Sequence, residues 1–210
     1  MFLNLPNQLS ILRIVLTPVY VFMLFFENPW VKVASFLVFA IAALTDYYDG
    51  YAARKYGIIT MWGQFLDPLA DKILVSSGLI AFSALGFIPS WMVLVIVIRD
   101  FVITILRSYA VMKGDPIKTN YFAKIKTTGQ MFMIVSIYLF HLFTWYKEPE
   151  HFGPISKLVF AYNIIVALMF VITIITIISG IIYIVNNWSH VTMMGKDTKK
   201  LFQLKKQTSK

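Results

Sequence analysis

Cysteine is missing from all 210 residues, which excludes a disulfide framework, thiolate catalysis and any cysteine-ligated metal. Charge is scarce: Asp, Glu, Lys and Arg make up 14% of the chain, against about 25% in soluble globular domains. Histidine is limited to His141, His151 and His190, which have no ligand spacing to one another and are expected at surfaces or interfaces. The opening MFLNLPNQLSILR lacks a basic n-region and a small-residue cleavage site, so it does not read as a cleavable signal. Internal repeats and low-complexity tracts are absent too, and one membrane domain accounts for the length.

Apolar sequence fills the space. Hydrophobic residues are 59% of the chain, mean hydropathy is +0.73, and no charge interrupts Leu158 to Trp188. A helix needs roughly 20 apolar residues to cross the hydrocarbon layer. Only helices or closed barrels satisfy the backbone in lipid, and continuous rather than alternating runs argue for helices. Charges and the turn signals ENPW and GFIPS mark six spans, near 10–26, 30–51, 63–85, 90–112, 122–146 and 155–188. The expected fold is therefore an all-α membrane protein with six transmembrane helices and a short N-terminal interfacial segment. Residues 1–194 would form the membrane domain and 195–210 a basic tail.

Basic residues set the orientation. Alternate connections place Arg54, Lys55, Lys72, Lys113, Lys118, Lys124, Lys126 and the tail lysines on one side. The other side has Lys32, Lys147 and Lys157, matched by Glu27, Glu148 and Glu150. The richer side is expected to be cytoplasmic, with both termini there, in an inner cell membrane. The net charge of +9 then reads as a topology signal and an attraction to anionic headgroups, not as nucleic-acid binding.

Four of the ten acidic residues crowd into Asp46–Lys72, at the expected cytoplasmic ends of spans 2 and 3. At about 100° per residue, Asp46, Asp49, Gly50 and Ala53 share a helix face. Asp67 and Asp71 lie one turn apart on the next helix, with Gly63 one turn earlier. Four carboxylates so close repel one another and are costly to bury, and divalent cations relieve both problems. All-oxygen donors suit Mg²⁺ or Mn²⁺ and argue against zinc. Four carboxylates are enough for two bridged ions. Gly50 and Gly63 would let a ligand approach the backbone, and Arg54 would meet a phosphate oxygen. The bland reading is that these carboxylates cap helices or pair with Arg54, Lys55 and Lys72. A second reading is an intramembrane ion pathway, that is, a transporter.

The same residues match every fixed position of D-x2-D-G-x2-A-R-x8-G-x3-D-x3-D, and the stretch resembles the signature of the CDP-alcohol phosphatidyltransferase family. The resemblance implies a phosphatidyl transfer from a CDP-linked lipid to an alcohol, with release of CMP. It implies that Asp46, Asp49, Asp67 and Asp71 hold two Mg²⁺ or Mn²⁺ ions, and that Asp71 also serves as general base. Gly50, Ala53, Arg54 and Gly63 would shape the pocket for CDP-diacylglycerol. A homodimer is implied as well.

The signature leaves the acceptor open. Arg99, Asp100 and Arg107 in span 4, and Lys124 and Lys126 in AKIKTTGQ, lie in or beside apolar helices on the acidic side. Arg99, Arg107, Lys124 and Lys126 would line an anionic acceptor site. The bland alternatives are that Asp100 and Arg107, seven apart on one helix face, form a structural pair through an intermediate partner, and that the lysines only mark a span end. The opening NLPNQLSILRIVLTP, together with LDPLADK and KIKTTGQ, resembles the branch of the family whose acceptor is glycerol 3-phosphate. In it Asn7 and Arg13 are candidate contacts to the nucleotide or diphosphate, and Ser10 stands where threonine is usual. Asp100 departs from the expected glutamate. Inositol phosphate and phosphatidylglycerol stay open as acceptors. Trp30, Trp91, Trp145 and Trp188 read as interfacial anchors, and Gly78, Gly129 and Gly180 as close helix contacts.

Overall fold

The computed structural model describes the backbone of residues 5–56, 61–115, 121–146 and 156–197, and the side chains of 8–45, 66–115, 126–142 and 162–197. Among the described residues the structure is all helix and turn. Six long helices follow the expected spans: α1 Leu5–Leu24, α2 Pro29–Tyr56, α3 Met61–Ala84, α4 Ser90–Met112, α5 Tyr121–Tyr146 and α6 Ser156–Asn186. A short helix, α7, covers 188–197.

Local chemistry sets the boundaries. Asn28 Oδ1 accepts the backbone N–H of Trp30 at 2.9 Å, and Pro29 occupies the first helical position of α2, where its missing N–H costs nothing. Helices α3 and α4 end alike. Gly86 and Gly114 take positive φ (84° and 80°), and the next residues reach back five positions, Phe87 N to Phe82 O at 2.9 Å and Asp115 N to Ala110 O at 3.1 Å. This cap needs a left-handed residue, which glycine supplies without steric cost. At the end of α6 the side chain of Asn187 donates to the carbonyl of Tyr183 at 2.8 Å, competing with the backbone ladder, and α7 begins after it. A helix here was not expected. The sequence reading carried span 6 to Trp188 and began the tail at 195.

Neighbouring helices close into a ring in the order α1, α3, α4, α6, α5, α2, and α3 also reaches α5 and α2 across the middle. The starts of α1, α3 and α5 share one end with the finishes of α2, α4 and α6. The apolar core fills the opposite end and the middle, around Tyr20, Phe39, Phe82, Ile134 and Tyr138. Ser35 Oγ donates to Tyr20 O at 2.8 Å and lies 3.0 Å from Tyr138 Oη, which joins α1, α2 and α5. The glycine expectation holds. A Cβ on Gly78 would lie 3.3 Å from Tyr20 Oη, one on Gly129 3.5 Å from Ile172, and one on Gly180 3.0 Å from Arg99 Cγ.

The polarity of the bundle is inverted relative to a soluble one. Phe22, Leu37, Ile98, Leu168 and Ile181 face outward, while Arg13, Lys32, Asp100, Lys126 and Gln130 are buried. Trp30, Trp91 and Trp188 stand exposed near helix ends, as anchors would. By length and composition, one stretch among the described residues qualifies as a membrane span, Tyr162–Asn186 in α6, with hydropathy 2.9. Gln8–Leu24 and Pro29–Thr45 are shorter apolar stretches.

Candidate functional site

Helix α3 carries the described half of the acidic constellation. Asp67 and Asp71 lie one turn apart near its start. Ser10, fully buried on the second turn of α1, donates its hydroxyl to Asp67 Oδ1 and so ties α1 to α3 at this end. Asp71 Oδ2 pairs with Lys72 Nζ at 2.8 Å, with both side chains partly buried. The bland reading thus holds for one carboxylate, since Asp71 does take a lysine partner. The second oxygens, Asp67 Oδ2 and Asp71 Oδ1, have no partner among the described contacts. Asp46, Asp49, Gly50, Ala53 and Arg54 lie on the last turns of α2, and Gly63 on the first turn of α3. Their side chains are outside the described residues, as are those of Asn7 and Lys124. Arg13, one turn after Ser10, is fully buried, and its carbonyl accepts from Thr17 Oγ1 at 2.8 Å.

A second cluster joins α4, α5 and α6 at the same end. Asp100 and Lys126 are each 2% exposed and form a direct ion pair. Arg99 Nη1 approaches Asp100 Oδ1 at 3.3 Å, and Gln130 Nε2 approaches Asp100 Oδ2 at 3.4 Å. Arg99 Nη2 donates to Ser179 Oγ on α6 at 3.0 Å. Two cations face one anion, so one positive charge is left over in a largely buried place. Lys126 lies within electrostatic range of Arg99 and of Lys72, which connects this cluster to Asp71. Arg107 stands exposed further along α4. Among the described residues Asp100 makes its ion pairs with Lys126 and Arg99, not directly with Arg107.

Several contributors were not legible as site residues. Ser10 was read only as a substitute for threonine, and no pattern in the sequence ties it to Asp67, 57 positions away. Gln130 lay within KIKTTGQ, but its role depends on Asp100. Ser179 sits in a helix that looked uniformly apolar. The histidines divide: His190, itself mostly covered, lies 3.1 Å from the exposed Asp115, His141 is buried with its ring 4.9 Å from Phe87, away from the expected surface, and His151 is outside the described residues.

The profile of the CDP-alcohol phosphatidyltransferase family matches residues 3–191. The chain is 33% identical over 197 residues to a CDP-diacylglycerol–glycerol-3-phosphate 3-phosphatidyltransferase of Bacillus subtilis (strain 168), covering 88% of this chain and 95% of that protein. It is 40% identical over 130 residues to a probable phosphatidylglycerophosphate synthase of Mycobacterium tuberculosis, covering 60% of this chain and 62% of that protein. It is 36% identical over 131 residues to a CDP-diacylglycerol–glycerol-3-phosphate 3-phosphatidyltransferase of Rickettsia bellii, covering 62% and 72%. With carboxylates and a cationic cluster brought to one end of a helical bundle, and nearly its whole length within the family profile, this chain belongs to the CDP-alcohol phosphatidyltransferase family and is a phosphatidyltransferase.

Proposed function

We propose that this enzyme transfers the phosphatidyl group of CDP-diacylglycerol to sn-glycerol 3-phosphate, giving phosphatidylglycerophosphate and CMP. The observation that carries the reading is the convergence of Asp67 and Asp71 with the buried, net-positive Arg99–Asp100–Lys126 cluster at one end of the bundle. The first group suits a diphosphate donor and the second suits an acceptor that is itself a phosphate. The names of the similar proteins agree with it.

The donor set fits a hard divalent cation. It is all carboxylate, and Asp67 and Asp71 each keep an oxygen that no described protein group uses. Asp46, Asp49, Asp67 and Asp71 would hold two Mg²⁺ or Mn²⁺ ions. Bound there, the ions supply charge neutralisation to the diphosphate and to the departing CMP. The chain's own residues do the rest. Ser10 holds Asp67 in one orientation. Arg13, Asn7, Arg54 and the small residues Gly50, Ala53 and Gly63 receive the nucleotide and diphosphate. Arg99 and Arg107, with Lys124 and Lys126, fix the acceptor phosphate. Asp71 takes the proton of the acceptor's 1-hydroxyl as its oxygen bonds to the β-phosphorus and the bond from that phosphorus to CMP breaks. Direct attack is the favoured course, since the sequence has no cysteine and no obvious activated serine or histidine to form a covalent intermediate.

The bilayer completes the reading. Six crossing helices keep the donor's acyl chains in lipid throughout, with the site and both termini on the cytoplasmic, lysine-rich side. The test is CMP release by purified protein with CDP-diacylglycerol, Mg²⁺ and one acceptor at a time. Release that requires glycerol 3-phosphate supports the assignment, and Asp49→Ala should abolish it. Release only with inositol phosphate or phosphatidylglycerol reassigns the acceptor. No release with any acceptor, from folded protein, turns the acidic cluster into an ion site.

A further inference from the structure

Helix α6 is the most apolar of the chain, yet its buried face is a polar stripe of Thr173, Thr176, Ser179, Gly180 and Tyr183. Most of that stripe is satisfied. Thr173 Oγ1 donates to Met169 O at 2.7 Å and Thr176 Oγ1 to Ile172 O at 2.7 Å. Ser179 Oγ donates to Thr176 O at 3.0 Å while accepting from Arg99. Gly180 lies beneath the Arg99 side chain, where a Cβ would come within 3.0 Å of Cγ and 3.4 Å of Nε. Arg99 therefore packs on α6 at its one residue without a side chain, and its guanidinium is held by the neighbouring Ser179.

Tyr183 is the exception. It is 6% exposed, one turn beyond Ser179, and its hydroxyl has no hydrogen-bond partner among the described residues. It lies within electrostatic range of both Arg99 and Arg107. Arg99 Nε is likewise buried without a hydrogen-bond partner among the described residues. Buried polar groups are nearly always hydrogen-bonded, and leaving one unmade costs about 1–3 kcal/mol. The Tyr183 hydroxyl and Arg99 Nε are both donors beside one cationic cluster, and together they point to an acceptor ligand.

We propose that Tyr183 is an acceptor-binding residue, donating its hydroxyl to an oxygen of the phosphomonoester that Arg99 and Arg107 bind, and that Ser179 and Gly180 are positioning residues for Arg99. This rests on the acceptor site assigned above and adds a third wall to it. The arginines provide charge, which any anion satisfies. The phenol is a neutral donor of fixed direction, so it selects for a phosphate placed at the right depth and penalises an acceptor that leaves it unpaired. The favoured class is a small alcohol carrying a phosphate monoester, rather than a neutral alcohol.

The test uses full-length protein in detergent micelles, with glycerol 3-phosphate varied and inorganic phosphate as competitive inhibitor. A hydrogen bond to a charged group contributes about 1.5–3 kcal/mol, so Tyr183→Phe should raise the KM for glycerol 3-phosphate and the inhibition constant of phosphate by about tenfold or more. The KM for CDP-diacylglycerol and the unfolding midpoint should not move. Gly180→Ala should raise the same acceptor KM by displacing Arg99. Gly129→Ala, whose methyl would meet only Ile172 at 3.5 Å, should not. An unchanged acceptor KM in Tyr183→Phe overturns the proposal, and so does an equal rise in both substrates' KM, which a purely structural role would produce. Wild-type protein that releases no CMP with glycerol 3-phosphate overturns the reaction assigned above and this proposal with it. Release by wild type with an unaltered Tyr183→Phe overturns this proposal alone.

Discussion

Where α3 finishes and α4 begins, Phe82 meets Tyr138 edge-on at 4.8 Å, Tyr138 tilts against Phe39 at 5.5 Å, and Tyr20 closes the cluster by donating to Leu74 O at 2.6 Å. Midway along α4, opposite the first turns of α5, Asp100 gathers Lys126, Arg99 and Gln130. Both regions are buried and both join several helices, but they are held by different physics. The aromatic end is closed by dispersion and by hydrogen bonds that leave little unmet. The charged end pairs two cations with one anion and keeps buried polar groups without partners. A region built for stability alone would not carry that residue of charge, because buried ions stabilise only when matched. On the function proposed above, this imbalance is where a bound phosphate would complete the structure.

Substitutions can sharpen the contrast. Asp71→Asn should lower CMP release by about 10²–10⁴-fold, the usual contribution of a positioned base, with little change in the unfolding midpoint. Activity within tenfold of wild type would remove the base role from Asp71. Next, Asp100→Asn should destabilise the protein by about 3–5 kcal/mol, because it leaves Lys126 as a buried charge without its counterion. Adding Lys126→Met should restore much of the loss, and thermal unfolding of both variants decides whether pairing is the cause. At the aromatic end Phe82→Ala should cost about 3 kcal/mol by opening a cavity. There both substrate KM values should hold, and a selective rise in one of them would break the division between the two ends.

Smaller effects test the supports. Ser10→Ala should weaken activation by Mg²⁺ by about 10–100-fold, as expected when the group orienting a metal-binding carboxylate is lost. An unchanged Mg²⁺ titration would confine Ser10 to packing. The smallest effect is expected where α7 meets the end of α4. Lys113 Nζ lies 2.7 Å from Asp197 Oδ2, and this hydrogen bond, together with the carboxylate's charge, raises the lysine's pKa above its ordinary value. A raised pKa means that any stabilisation is present across neutral pH and lost only as pH climbs through the lysine range. Both groups are well exposed, so Lys113→Ala should leave the midpoint unchanged at physiological salt. A shift that survives high salt would show that α7 is held more firmly than an exposed pair allows.

Much of this molecule is written in short-range pattern. Runs of apolar residues, the ENPW and GFIPS turns and glycine caps define α1 to α6, since each depends on neighbours in the chain. Periodicity places Asp67 on the same face as Asp71 for the same reason. The eight-position signature identifies the family, because the chemistry demands those residue types at that spacing. The path from Arg99 over Gly180 to Ser179, the commitment of Lys126 to Asp100 and the hold of Ser10 on Asp67 were not legible. They join residues 80, 26 and 57 positions apart, and a helix periodicity carries no information about which face of another helix it will meet. Sequence alone thus determined the helices and the family, and placed Asp67 and Asp71 one turn apart on α3. Only the ring order of the packed helices decided which charges are paired, which are left over, and that apolar α6 turns Ser179 and Gly180 to Arg99.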